Sequence, residues 1–397
     1  MNRRTLIGLA LAAVAVFVVA IVIGRFNAPR TDVAGGQAET SLVPSLRDRV
    51  NDIDRVVVTG AGGKPVATMT RNASGWSIAE KNGFAVDTGK LREFLLKLAD
   101  AKLVEQKTSN KDKYATLGVE DVAAADAKGV EVELGGLKEP VKIIVGNANA
   151  RGGTFVRRAG ETASWLASGS ISVDKKVENW LRKDLADVTA NRVASVTITR
   201  PDGKVVRVAK DSEGDTSFRL ADVPKGREPA AEFTINGVAG TLAGLRFEDV
   251  VSAKDAAPPE KPLNARFATF DGLVVDVVAW EKDGKDYAQI AASQDRERAS
   301  SYAAAAPAKP KPDSDDAART ADAKSDASKS ADEKIAAVDR EAADLNQRAK
   351  GWTFVLPAYK YATLNKSTDD LLKPLDDRKP DAKAGAKKPA PVKQGGS

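Results

Sequence analysis

Three short motifs carry residue types that catalysis or phosphate binding uses. Gly60-Ala61-Gly62-Gly63-Lys64 has the glycines and lysine of a phosphate-cradling loop. A P-loop, however, needs four residues between its first glycine and the Gly-Lys pair, then Ser or Thr, and here Pro65 follows. A hairpin turn is the expectation there. Gly146-Asn147 with Arg151-Gly152-Gly153 reads either as a nest of backbone amides for an anion or as a long turn between strands. Ser172-Val173-Asp174-Lys175 has the Ser-x-x-Lys spacing in which a lysine one helical turn away activates a serine. No Ser-Asp-Asn or Lys-Thr-Gly accompanies it, and helix capping by Ser172 or Asp174 is the plainer reading. The acid pairs Asp52/Asp54 and Asp369/Asp370 have the residue type of glycoside hydrolysis, but they sit among 55 acidic residues that a solvated surface explains. Trp76, Trp165, Trp180, Trp280 and Trp352 suit a carbohydrate platform or a set of core anchors, and recurrence at matching repeat positions favours the core.

The chain has neither cysteine nor histidine. That removes disulfides, thiolate nucleophiles, Cys/His zinc sites, imidazole bases and histidine-ligated haem. It also excludes a lipoprotein anchor and suits an oxidising compartment. The net charge of +6 is a small excess of 61 basic over 55 acidic residues, without an interior basic stripe that would point to nucleic acid. We therefore assign no catalytic, cofactor-binding or metal-binding residues, and the chain is read as not an enzyme.

The elements that must position any function begin with an uncharged run, Leu6 to Ile23, behind Arg3 and Arg4. As a helix it spans about 27 Å, close to a hydrocarbon core of about 30 Å. It is longer than a signal-peptide core, and Gly24, Arg25 and Phe26 follow it where a small-x-small cleavage site would stand. The expectation is an uncleaved anchor over residues 1–26 that contacts the inner membrane through residues 6–23. The N-terminus is then cytoplasmic and the bulk of the chain extracytoplasmic, periplasmic in a Gram-negative cell. Residues 27–50 read as a stalk, given their Gly, Thr, Ala and Pro content.

From Ile53 the pattern is strand and turn: Arg55–Thr59, the glycine turn, Val66–Met69 and Trp76–Ile78, then a helix from Thr88 to Ala101 capped by Asp87 with Leu91, Phe94, Leu95 and Leu98 as its stripe. Strands follow at Val130–Leu134, Val141–Val145, Thr154–Arg158 and Trp165–Leu166, then a helix holding Val177, Trp180 and Leu181. The pattern then restarts 140 residues on, with Gly63-Lys64 falling on Gly203-Lys204. A helix with Val238, Leu242 and Leu245, strands at Phe247–Val251, Phe267–Phe270, Leu273–Trp280 and Tyr287–Ile290, and a last strand at Trp352–Leu356 complete the echo. The fold class expected is α+β: an N-terminal transmembrane helix plus two tandem related domains of mainly antiparallel strands with packed helices, over 51–189 and 190–377. The second carries an insertion at about 294–350 whose Ala, Lys, Pro, Asp and Ser composition predicts disorder, with a short exposed helix at 331–350. The tail 378–397 is basic and disordered in expectation.

Gly75-Trp76, Asp87, Leu95, Leu98, Leu117-Gly118, Ile144-Val145-Gly146-Asn147, Phe155-Val156-Arg157 and Trp180-Leu181-Arg182-Lys183 occur in an order that resembles DUF family 4340, a bacterial family of unknown function. The resemblance covers residues 50 to 190 and, more loosely, the second half. It implies an N-terminal membrane helix and, because many members are encoded beside gliding-type ABC transporter subunits, an accessory envelope role with transporter subunits as partners. It implies no catalytic residues. The functional expectation is a membrane-anchored extracytoplasmic accessory or binding protein; the alternative is an envelope scaffold that binds cell wall or polysaccharide.

Overall fold

The computed structural model describes residues 40–305 and 319–374, the stretch 319–330 as backbone alone. The expected anchor, the stalk up to residue 39 and the basic tail lie outside the described residues. No described helix is long and apolar enough to cross a membrane. The chain divides into two units, with the boundary between Trp180 and Leu181.

The first unit is built on a ten-stranded antiparallel sheet. Its eight main strands are β1 (Arg55–Thr59), β2 (Pro65–Asn72), β3 (Gly75–Ile78), β4 (Lys102–Thr108), β5 (Val130–Gly135), β6 (Val141–Ala148), β7 (Thr154–Arg158) and β8 (Ser164–Ala167). They lie in the order β3-β2-β1-β5-β6-β7-β8-β4, flanked by two-residue strands at Phe84–Ala85 and Thr40–Ser41. In β5 every second residue, Val130, Val132 and Leu134, is buried, as a period of two demands. β1 buries all three of its valines, so both faces of the sheet are covered at its centre.

Residues 40–50, expected in the stalk, belong to this unit. Leu42, Val43 and Leu46 are buried, Leu42 N–H donates to the Ala101 carbonyl at 2.8 Å, and Leu46 opens the short helix α1 (Leu46–Arg49). Three apolar residues within five anchor a segment that the surrounding Gly and Thr made look like linker. On one face of the sheet lies α2 (Thr88–Asp100), whose Leu91, Phe94, Leu95 and Leu98 are buried and whose Lys90 N–H is capped by Asp87 at 2.9 Å. Against Ile144 of the sheet packs the connection from β4 to β5, with α3 (Tyr114–Leu117) and Val119. The expected helix around Val177 is a single 3-10 turn, Val177–Trp180.

The second unit repeats this plan. Its strands are β9 (Val193–Thr199), β10 (Val205–Ala209), β11 (Arg219–Leu220), β12 (Asp249–Ser252), β13 (Leu263–Thr269), β14 (Leu273–Lys282), β15 (Lys285–Gln294) and β16 (Trp352–Val355). They lie in the order β11-β10-β9-β13-β14-β15-β16-β12, the order of the first unit strand for strand. A two-stranded ribbon of Asp184–Ala186 with Leu245–Arg246 stands beside this sheet. The hairpin ends also correspond, Thr59 opposite Pro65 and Thr199 opposite Val205, 140 positions apart. Helix α4 (Glu232–Ala239) takes the place of α2, with Ile235 and Val238 buried. The Trp180 carbonyl accepts from Asp87 N–H before α2, and the Leu371 carbonyl of the 3-10 turn Asp369–Leu371 accepts from Ala230 N–H before α4, both at 2.8 Å.

The insertion is helical where it is described, over 296–305 and 319–349, and the helix expected at 331–350 is the end of the second stretch. It holds α5 (Arg296–Ala305) and α6 (Arg319–Ala349), and it interrupts the β15–β16 hairpin. Val338, Ala342, Leu345 and Ala349, spaced four, three and four apart, are buried and form one stripe. That stripe packs on β15, so the helix expected to be exposed at 331–350 is half-covered. Gly351 follows it at φ +84°, the left-handed conformation that ends helices. After β16 comes α7 (Ala358–Leu364).

Candidate functional site

The groups singled out for chemistry are taken up by the fold. In the Gly60–Lys64 turn, Gly62 and Gly63 have φ of +71° and +67°, and their N–H groups donate to the carbonyls of Ala124 and Val122 at 2.9 and 2.8 Å. Those amides, which a phosphate would need, hold a neighbouring loop. At Gly146 the close neighbours are acceptors: a Cβ there would stand 2.4 Å from the Leu117 carbonyl oxygen and 2.8 Å from that of Gly118. Gly129 likewise leaves only 2.2 Å to the Gly118 oxygen. Gly118, Gly129 and Gly146 are therefore a crossing of three backbones that only glycine permits, and carbonyl oxygens at this spot repel an anion. The following turn closes on itself, with Asn149 N–H donating to Gly153 O and Gly152 N–H to Asn149 O.

Ser172 and Lys175 do not form a pair: the Lys175 ammonium donates to the Lys128 carbonyl at 2.6 Å, and Ser172 is exposed. Between them in sequence, Asp174 binds the Lys90 ammonium and the Asn179 amide. Lys90 lies 5.4 Å above the Trp180 ring, which meets Phe94 edge-on at 5.6 Å. This cluster docks the first residues of α2 onto the Val177–Trp180 turn. Asp52 pairs with Arg49, and Asp369 with Arg227. Asp370 accepts from both the hydroxyl and the N–H of Ser367 at 2.7 Å, which lowers its pKa. Trp180 and Trp280 are buried, whereas Trp76, Trp165 and Trp352 are half-buried, so the five do not form one exposed platform.

Two polar clusters were invisible in the sequence. Arg157, 3% exposed, donates to the Val119 carbonyl at 2.8 Å and to that of Glu161 at 3.0 Å, and it pairs with Asp121. Its guanidinium stacks 4.7 Å from the Tyr114 ring. Four partners satisfy a charge that would otherwise cost several kcal/mol to bury. In the second unit Arg192 clasps Glu341 of α6 through both nitrogens at 2.8 and 3.0 Å and also meets Asp271 at 2.8 Å. These acids raise its pKa still further. Tyr302 of α5 donates to Glu213, a bond that pushes its pKa up to about 12, and Arg298 donates to the Thr269 carbonyl. The insertion is thus held by charge as well as by its apolar stripe.

What the surface offers is contact area. Phe233 on α4 is 80% exposed and Tyr359 on α7 67% exposed, and these two helices pack together. Val104 on β4 is 62% exposed. A cleft of roughly 270 Å3 lies between Val43–Arg49 and Leu137–Val141, with Arg49, Lys138 and Glu139 on its walls. Among the described residues no group of three or more acids is arranged to hold a metal.

Residues 76–265 match the model of a domain of unknown function (DUF4340). The matched stretch begins in β3 and ends in β13, so it takes in most of the 50–190 expected and part of the second half, and it takes neither unit whole. No curated protein and no solved structure matches the chain.

Proposed function

We propose that this chain is a membrane-anchored extracytoplasmic accessory or binding protein of an ABC-type transport or cell-envelope system, acting through contact and not catalysis. The observation that carries the reading is the apolar run Leu6–Ile23 behind Arg3 and Arg4, with no comparable run later in the sequence. An anchor of that kind confines the two units to the membrane face and raises their effective concentration toward membrane partners. The family resemblance supplies the transport context. In support, the amides of Gly60, Gly62 and Gly63, with Lys175, Asp174 and Asp370, are engaged in internal hydrogen bonds.

Crosslinking at native expression, in mild detergent, with the full chain beside a form lacking residues 1–26, tests it. Recovery of transporter subunits with the full chain supports the accessory role; recovery of no membrane protein contradicts it. The exposed pair Phe233 and Tyr359 favours a second reading, an envelope scaffold gripping cell wall or polysaccharide through aromatic faces. Sedimentation of the shortened form with purified cell wall, lost in Phe233→Ala/Tyr359→Ala, would move that reading into first place.

A further inference from the structure

One carboxylate in the first unit bridges an amine and an amide. Asp174 binds the Lys90 ammonium through one oxygen, and its other oxygen accepts from the Asn179 side-chain amide at 2.9 Å. Lys90 also donates to the main-chain carbonyl of Asn179 at 2.9 Å, so the amine already rests on the residue whose side chain carries the amide. Neither side of the cluster is loose. The Trp180 indole N–H donates to the Asp174 carbonyl at 3.2 Å, and Asp87 N–H, three residues before Lys90, donates to the Trp180 carbonyl at 2.8 Å. The Trp180 ring, 5.4 Å from the Lys90 ammonium, is buried against Phe94, which closes one side of the cluster to water.

An amine, a carboxylate and a carboxamide in that order are the parts of an amide exchange. The carboxylate takes a proton from the amine, the amine attacks the carboxamide carbon, and the carboxyl group returns the proton to the departing nitrogen. The Asp174 oxygen on Asn179 meets the side-chain nitrogen, the atom that has to leave. Fixing the groups in one place replaces a bimolecular encounter that is very slow in water, a gain equivalent to an effective molarity on the order of 10⁵ M.

We propose that the first unit forms a covalent bond between the side chains of Lys90 and Asn179, with Asp174 as its acid–base catalyst. Lys90 Nζ bonds to Asn179 Cγ, and the Cγ–Nδ2 bond breaks. Asp174 passes to Nδ2 the two protons that Nζ sheds, the nitrogen leaves as ammonium, and the carboxylate ends as it began. No oxidant or other reactant is consumed, and the reaction happens once per chain, so it is not turnover of a substrate. The new amide staples the first turn of α2 to the Val177–Trp180 turn, 89 positions away. In a chain without cysteine it does the work of a disulfide, whatever the redox state around it. The second unit has no such set: α4 contains no lysine, and Asp370 precedes Leu371 where Asn179 precedes Trp180. The inference is independent of any transporter or envelope partner.

Mass spectrometry of the purified full chain tests it. Most of the chain should weigh less than its sequence by the mass of one ammonia. After trypsin, the peptides carrying Lys90 and Asn179 should run as one joined species, uncut after Lys90. Asp174→Ala and Lys90→Arg should each keep the full sequence mass and give separate peptides. Lys90→Arg, which retains a cation for Asp174, should also melt at a lower temperature than the natural chain. The decisive reading is made on the natural chain, so a variant that fails to fold does not affect it. A natural chain at its full sequence mass overturns the proposal. So does an ammonia loss that maps to Asn82-Gly83 or Asn236-Gly237 while trypsin still cuts after Lys90.

Discussion

The same hairpin is joined by a short turn in one unit and by a long insertion in the other. β7 and β8 are joined by residues 159–163 and pair along the whole of β8; β15 and β16 are joined by residues 295–351 and pair at two positions. Yet the strand order around them is identical. The difference shows that this sheet tolerates a large insertion in a turn: β15 runs on past the residues that β16 lines, and α6 covers that extension with Asn346 on Ala292. At their outer strands the units differ again. Along β4 the register with β8 slips at Lys107 and at Val104, leaving each without a partner there, and charged Glu105 and Lys107 flank the break. Irregularity and charge blunt an edge without any cover. β12 pairs with β16 in unbroken register.

The comparison can be broken most severely at the seats of α2 and α4. Trp180→Ala, at a fully buried side chain, should destabilise the first unit by about 4 kcal/mol, and Leu371→Ala the second by about 3 kcal/mol, each read as amide exchange in its own sheet. If Trp180→Ala loosened α4 as much as α2, the equivalence of the two seats would be lost. Asn346→Ala removes two bonds to Ala292 and should cost about 2 kcal/mol. It should also make the chain aggregate on concentration, seen by light scattering, an effect that no substitution in the turn 159–163 should reproduce. Helix capping sharpens the contrast further, because Asp87 caps α2 while Ala231 stands at that position of α4 without a side-chain cap. Asp87→Ala should cost about 1 kcal/mol, and Ala231→Asp should stabilise the second unit by a similar or smaller amount, both visible in thermal melts.

The smallest effect concerns pH. Burial, reinforced by Glu281 and Glu248, raises the pKa of Asp286 above its ordinary 3.8. A carboxyl with a raised folded pKa contributes stability that is present below the unfolded value and lost as pH rises through the folded one. Asp286→Asn should therefore stabilise the second unit slightly at neutral pH, the difference from the natural chain shrinking as pH falls toward 3.8. Melts at several pH values would show it.

Much of this was legible in the sequence because its signals are local. Alternation fixed β5, Asp87 announced α2, and the glycine turns at 63 and 203 exposed the repeat. What stayed hidden depends on contacts between distant residues. Gly118, Gly129 and Gly146 read as turn residues, and only their mutual approach shows why none carries a Cβ. Arg157 looked like a strand residue among basic neighbours, although its partners lie in the loop before β5 and the turn after β7. The insertion misled for a compositional reason: its polar, alanine-rich stretch outweighs the few residues of α6 that are buried. Asn346, beside the buried Leu345, gave no hint that it stands in for a strand.

The account rests on the two units being one fold, with the insertion as the cover of an edge that it created. Replacing residues 292–350 by the turn 158–163 tests this most directly, because edge and cover are removed together. The account predicts a soluble chain whose second sheet is intact, with Ile290 now opposite Trp352 and protected from exchange as Val156 is in the first unit. An aggregated chain, or one with β9 to β16 unprotected, would contradict it.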